Sequence, residues 1–124
     1  MRTRAWTATE LERLDSTSLI RVAGERSDGS LRPFVVSGHV RLGDDVLVRS
    51  LNGPTGAWYR GAVASGRGEV DVDGQRVAVA FVADRGREDE FDDALRARYG
   101  NDSGARQMTR SPAREATLRV IPLA

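Results

Sequence analysis

Three tight turns built from glycine and aspartate constrain this 124-residue chain more than any other feature. They are Asp28-Gly29, Gly43-Asp44 and Asp73-Gly74, and each lies between segments rich in strand-forming residues. An Asp-Gly pair suits the positive φ values of a two-residue hairpin turn. The clearest case joins the alternating runs 69–72 and 76–82. Together, the turns predict consecutive antiparallel strands.

The other segments predict a barrel or an α+β arrangement with few helices. We expect strands at 19–23, 31–40 with Gly38 at a bulge, 46–51 and 117–121. Helical patterns cover 7–14, 58–65 and 88–99, where Phe91, Leu95 and Tyr99 share one face. The acidic residues at the start of the last helix are expected to form a solvated face. Residues 100–111 are rich in helix breakers and predict a mobile loop.

The composition excludes several classes of function. With 19 basic and 18 acidic residues, the chain lacks the basic excess of a general nucleic-acid binder. It has no cysteine and one histidine, His39, which argues against a metal site. Residues 1–10 lack the apolar core of a signal peptide, and no apolar run approaches the ~20 residues of a membrane span. We therefore expect a soluble, cytoplasmic protein with no membrane or nucleic-acid partner.

Several multi-residue blocks, in this order, resemble a small, mostly actinobacterial family of uncharacterised proteins known as domain of unknown function 2255. The blocks that carry the resemblance are Arg26-x-Asp28-Gly29-x-Leu31-Arg32-Pro33, Val40-Arg41-x-Gly43-Asp44-Asp45-x-Leu47-Val48-Arg49-Ser50, Gly53-Pro54, Trp58-Tyr59-Arg60, Ala64-Ser65-Gly66-Arg67-Gly68 and Thr117-Leu118-Arg119-Val120-Ile121-Pro122. The resemblance covers nearly the whole chain.

The same blocks are distantly similar to the deazaflavin-dependent nitroreductases and the wider split β-barrel flavin-binding group. This resemblance implies one α+β domain over residues 1–124, a split β-barrel of about six mostly antiparallel strands with two or three short helices. Coenzyme-binding relatives place an asparagine where this chain has Gly61. Relatives often hold the coenzyme at a two-fold interface, which makes a homodimer the expected assembly.

The resemblance also implies a coenzyme site, for FMN or the deazaflavin coenzyme F420. The residues expected to bind it are Arg32, Arg49, Ser50, Asn52, Gly53, Trp58 and Arg60. The planar fork of an arginine suits a phosphate group, since it bonds two oxygens at once. In the alternative, purely structural interpretation, these arginines form surface ion pairs and Trp58 lies in the core. Tyr59 and His39 are the candidate catalytic residues, with His39 as a proton donor.

Three functions remain open at this point. The first is an oxidoreductase, nitroreductase-like, that reduces a small organic substrate with a flavin or deazaflavin. The second is a non-redox protein that binds a small ligand, such as an anionic metabolite, in the same pocket. The third is a cofactor-free enzyme of secondary metabolism that uses His39 or Tyr59 as acid or base.

Overall fold

The computed structural model describes residues 1–124, which form seven β-strands and four α-helices. The strands are β1 (Ile20–Gly24), β2 (Val35–Ser37), β3 (His39–Leu42), β4 (Asp45–Arg49), β5 (Arg67–Val72), β6 (Gln75–Ala83) and β7 (Thr117–Pro122). The helices are α1 (Ala8–Ser16), α2 (Ala57–Ser65), α3 (Glu88–Tyr99) and α4 (Ser103–Met108). No helix is long and apolar enough to cross a membrane.

One continuous sheet contains all seven strands, in the order β2-β1-β5-β6-β7-β4-β3, and every pairing is antiparallel. Only Gly38 separates β2 from β3, yet these strands lie at the two ends of that order. Because one residue spans less than about 4 Å of chain, the two edges of the sheet must meet. The sheet therefore curls into a nearly closed barrel, which confirms the α+β split-barrel prediction.

The prediction of one strand over 31–40 is wrong. The chain makes an isolated bridge at Leu31, then β2, and then changes partner at Gly38. On one side of Gly38 the strand pairs with β1, and on the other side it pairs with β4. The expected bulge is thus the point at which the chain crosses from one sheet edge to the other.

Local chemistry explains why the elements begin and turn where they do. Thr7 and Glu10 form a capping box at the start of α1, with the Thr7 hydroxyl accepting from the Glu10 N–H at 3.1 Å. Asp73 and Gly74 have φ of 53° and 85°, the paired positive values of a two-residue hairpin turn. The indole N–H of Trp6 donates to the Val120 carbonyl at 3.1 Å and fastens the start of the chain to β7.

Two apolar clusters hold the fold together. The larger fills the barrel and includes Ile20, Val22 and Leu118. The smaller lies where α3 and α4 cover β3 and β4, and it comprises Val40, Leu47, Phe91, Leu95 and Ala105. The sequence predicts a mobile loop over 100–111, whereas the structure has α4 there. The Asp102 carboxylate caps this helix by accepting from the Ala105 N–H at 2.9 Å.

Candidate functional site

The start of α2 combines an uncapped helix end with a buried hydroxyl that has no partner. The first N–H groups of any α-helix lack acceptors within the helix, and Gly56 at the N-cap provides no side chain to bond them. Ser50, only 1% exposed, follows β4, and its Oγ makes no hydrogen bond. A Cβ at Gly56 would lie 2.5 Å from that oxygen, so glycine brings the helix backbone against the hydroxyl.

A surface hollow of about 760 Å³ opens at the same helix start, and we call it the α2 hollow. It is lined by Leu51, Asn52, Thr55, Gly56, Ala57, Gln107, Arg110, Ser111 and Pro112. None of these residues is acidic, and Arg110 makes no ion pair. The helix N-terminus adds a partial positive charge. The α2 hollow is therefore suited to an anionic group, such as a phosphate.

Of two adjacent predicted coenzyme-binding residues, Asn52 lines this hollow and Gly53 lies buried beside it. Asn52 is exposed along it. Gly53 is buried at φ 72°, and a Cβ there would lie 2.5 Å from the Cβ of Pro112. Glycine at this position lets the loop after β4 pack closely against the segment that precedes β7. The predicted role of Gly53 is thus accompanied by a clear packing role.

Arg49, by contrast, is buried, and its guanidinium is bonded to residues within the protein. Its side chain has no exposed surface, and one guanidinium nitrogen lies 2.6 Å from the Asp92 carboxylate. The same group donates to the Thr117 hydroxyl at 2.9 Å and the Met108 carbonyl at 2.7 Å. It also stacks 3.9 Å above the ring of Phe91. These contacts leave no free face of the guanidinium toward the α2 hollow.

The partner of Arg49 corrects one sequence interpretation. The acids at the start of α3 were expected to form a solvated face, but Asp92 is buried and bonded to Arg49 and Arg114. Desolvation lowers the pKa of Arg49, and the hydrogen bond to Asp92 opposes that shift. Asp92 precedes the buried Leu95 by three residues, so helical spacing placed it on the inner face of α3.

Arg32 accounts for the glycine at position 61. Its side chain lies across α2 at Gly61, where an added Cβ would be 2.5 Å from Arg32 Nε. Gly61 lies four residues after Ala57, one turn along the same helix face. Arg32 makes no ion pair, so its charge remains available on the face of α2 that begins at the α2 hollow.

The aromatic pair of α2 is anchored in the core. Trp58 and Tyr59 are half-buried and both pack against the barrel cluster. Their rings meet edge to face, with centroids 6.4 Å apart. Neither the indole N–H of Trp58 nor the Tyr59 hydroxyl makes a hydrogen bond within the chain. Arg60 is exposed on the same helix and makes no ion pair.

His39, at the start of β3, is enclosed by residues of α1 and α3. It is 1% exposed, and its Nε2 lies 2.7 Å from the Leu14 carbonyl. Nε2 must carry a proton to make that bond, so the nearby Arg98 guanidinium at 3.2 Å is not bonded to it. Burial lowers the pKa of His39 to about 4. The ring is therefore neutral at physiological pH and poorly suited to donate protons.

The structure divides the predicted site residues into two groups. Ser50, Asn52, Gly53 and the first turn of α2 surround one location, and Arg32 lies one turn further along the helix. Arg49 and His39 are held by internal partners. Arg110 is not among the predicted coenzyme-binding residues, because its segment was predicted to be a mobile loop. Fold and geometry thus define a split β-barrel with a candidate anion site at the start of α2.

Comparison with known proteins agrees with this class. Residues 10–120 match the family described as uncharacterized protein conserved in bacteria, DUF2255, and the chain belongs to that family. No curated protein matches the sequence.

Solved structures share the fold at low sequence identity. A conserved hypothetical protein, Rv2991 from Mycobacterium tuberculosis, has a TM-score of 0.64 and 12% identity, over 100% of this chain and 86% of its own. A proposed 5-nitroimidazole antibiotic resistance protein from Bacteroides thetaiotaomicron has a TM-score of 0.59 and 15% identity, over 98% of this chain and 82% of its own. A protein described as an F420 reductase has a TM-score of 0.57 and 15% identity, over 91% of both chains. At these identities the similarities establish the fold alone.

Proposed function

We propose that this protein binds a phosphate-bearing redox coenzyme, FMN or the deazaflavin F420, and reduces a small organic molecule. The observation that carries the proposal is the buried Ser50 hydroxyl, which has no partner, beside the uncapped start of α2. A buried hydroxyl without a hydrogen bond costs free energy, and a bound acceptor would recover it. The fold similarity to an F420 reductase is consistent with this proposal.

The residues at the α2 hollow fit an anionic group. The N–H groups of the first turn of α2 would donate hydrogen bonds to phosphate oxygens. The Ser50 hydroxyl lies buried against Gly56 rather than on the lining of the hollow, so its hydrogen bond to the ligand would require Gly56 to shift. Arg110, on the lining, and Arg32, one turn further along α2, would add positive charge, and no carboxylate lines the hollow. When bound, a flavin or deazaflavin supplies the hydride for reduction. The protein contributes binding and orientation, and Tyr59, whose hydroxyl makes no hydrogen bond within the chain, is the candidate for a catalytic role.

A fluorescence titration with FMN and F420, side by side, tests the proposal. Micromolar binding corresponds to about 8 kcal/mol, a modest demand for a dedicated coenzyme site. The Gly56→Ala variant should weaken binding at least tenfold, because its Cβ fills the space against Ser50 Oγ. Gly104→Ala is the matched control, since a Cβ there meets nothing closer than 3.5 Å. Absence of binding to either coenzyme at about 100 μM would refute the redox function.

A non-redox ligand-binding protein is the second candidate, and the commitment of Arg49 favours it. The Ser50 hydroxyl and the start of α2 remain available to a ligand, but Arg49, which was expected to bind the phosphate, is paired with Asp92. In that case inorganic phosphate or a phosphorylated metabolite would compete for the α2 hollow, whereas neither coenzyme would bind. The cofactor-free alternative that uses His39 loses support because the ring is buried and its pKa is lowered to about 4.

A further inference from the structure

A second cavity, of about 210 Å³, lies between α3, α4 and the strands they cover. Its walls include the buried side chains of Phe91, Leu95 and Ala105. We propose that this cavity is a binding site for a small, neutral aromatic molecule of one or two rings. Apolar cavities of about 150 Å³ remain dry and accept molecules the size of benzene, so the volume is appropriate.

The polar groups around the cavity already have partners. The Arg49 guanidinium is bonded to Asp92, and the Asp102 carboxylate caps the Ala105 N–H. The Tyr99 hydroxyl donates to the Ser18 carbonyl at 2.6 Å and accepts from the His39 N–H. A charged or strongly polar ligand would lose its hydration here without gaining hydrogen bonds in return. The cavity therefore selects neutral, apolar molecules.

The lining also favours an aromatic ligand over an aliphatic one. The rings of Phe91 and Tyr99 both contribute to the walls. Aromatic rings gain from edge-to-face and offset contacts beyond the burial of their area. The thioether of Met108, which also lines the cavity, is polarisable and makes favourable contacts with aromatic rings. Methionine also adapts its shape, so α4 can adjust to ligands of different outline.

The mouth of the cavity adjoins the proposed coenzyme site. Leu19 and Leu51 line the cavity and are unusually exposed for leucine, at 53% and 44%. Leu51 also lines the α2 hollow, so the apolar cavity and the candidate anion site adjoin at this side chain. The further step, that this aromatic ligand is the substrate, rests on the proposed function. The binding of the ligand to the cavity is independent of that function, because no lining residue needs the coenzyme to be present.

Methyl-detected NMR of the full chain, without any coenzyme, tests the site with toluene and with benzoate as its charged counterpart. Toluene should shift the methyl signals of Leu95, Ala105 and Met108 in a saturable manner, and benzoate should leave them unchanged. The Ala105→Leu variant fills the cavity and should weaken toluene binding at least tenfold. Arg106→Leu adds the same side chain on the exposed face of α4 and should bind as the wild type does.

Several results would overturn the proposal. These are an absence of saturable shifts with toluene, equal binding of benzoate, or toluene binding that survives Ala105→Leu. If Ala105→Leu fails to fold, Leu95→Phe fills the same cavity and serves in its place. Shifts at these methyl groups that depend on protein concentration, without toluene, would instead identify a second copy of the chain as the occupant. Because no coenzyme is present, the outcome is independent of the coenzyme titration.

Discussion

Arg49 and Ser50 are neighbours at the end of β4 and are each 1% exposed, but their polar groups are in opposite situations. The Arg49 guanidinium is bonded to Asp92 and Thr117, whereas the Ser50 hydroxyl has no partner. Sequence reasoning assigned both residues to the same coenzyme site. Burial and position are the same for both residues, and they differ in whether their hydrogen bonds are already satisfied within the chain. An unsatisfied buried hydroxyl is a candidate for a ligand contact, which is the role we propose for Ser50.

The largest effect should follow from breaking the Arg49 network. Asp92→Ala leaves a buried guanidinium without its carboxylate, and removing one partner of a buried ion pair costs about 3–5 kcal/mol. We expect the free energy of unfolding, measured by urea denaturation, to fall by that amount. Asp89→Ala is the control, since Asp89 is exposed and its pair with Arg114 is worth less than about 1 kcal/mol.

A small loss for Asp92→Ala, similar to that of Asp89→Ala, would contradict the structural assignment of Arg49. It would mean that the guanidinium finds another partner or turns toward solvent. In that case Arg49 would again become available to a phosphate in the α2 hollow.

His39 is a third buried polar residue, and it combines both situations. Its Nε2 is bonded to the Leu14 carbonyl, whereas its Nδ1 has no partner. Burial lowers its pKa from 6.5 to about 4 in the folded protein. Between these values the unfolded chain takes up a proton that the folded chain does not, so stability falls as the pH falls through this window. The full loss is about 3 kcal/mol.

Urea denaturation at a series of pH values measures this effect. His39→Gln should flatten the slope between pH 6.5 and 4.5, because glutamine does not titrate there. Glu10 adds little slope in this window. Its hydrogen bond with Arg4 lowers its pKa to about 2, so the stability that it contributes is lost mainly as the pH falls below 4.5. A wild-type stability that is constant from pH 7 to pH 4.5 would show that the ring can be protonated in the folded state.

Arg32 extends the comparison to a cation that remains free. Gly61→Ala should gain about 1 kcal/mol of helix propensity, but its Cβ conflicts with Arg32 Nε. In an Arg32→Ala background the substitution should therefore stabilise the protein by 0.5–1 kcal/mol more than it does in the wild type. Thermal unfolding of the four proteins in this cycle measures the difference.

Arg60→Ala provides the control background, because Arg60 is a neighbouring exposed cation on the same helix. There, Gly61→Ala should behave as it does in the wild type. Equal effects of Gly61→Ala in all three backgrounds would show that Arg32 does not lie across α2.

Local signals made much of the fold predictable from sequence. The Asp73-Gly74 hairpin and the helix over 88–99 depend on residues close together in the chain, and both were predicted at the correct positions. The change of partner at Gly38 was not predictable, because it depends on barrel closure between distant strands. The six-residue α4 was missed because Gly104 interrupts its pattern, although Asp102 provides a cap.

The candidate site was predictable in part and for a similar reason. Ser50, Asn52 and Gly53 are adjacent in sequence, so a motif could group them with the start of α2. The commitment of Arg49 depends on Asp92, which lies 43 residues further along. Composition makes acids at a helix start resemble a solvated face. Only the spacing between Asp92 and Leu95 indicated that this carboxylate faces inward.

The role of Ser50 is tested most directly by measuring, in the same preparations, the unfolding free energy and the F420 and FMN affinities of the wild type and Ser50→Ala. Removing a buried hydroxyl that has no partner should leave stability within about 0.5 kcal/mol or raise it slightly. Coenzyme affinity should nevertheless fall at least tenfold. Unchanged affinity, with a stability loss above about 1 kcal/mol, would contradict the account and make Ser50 a structural residue like Arg49.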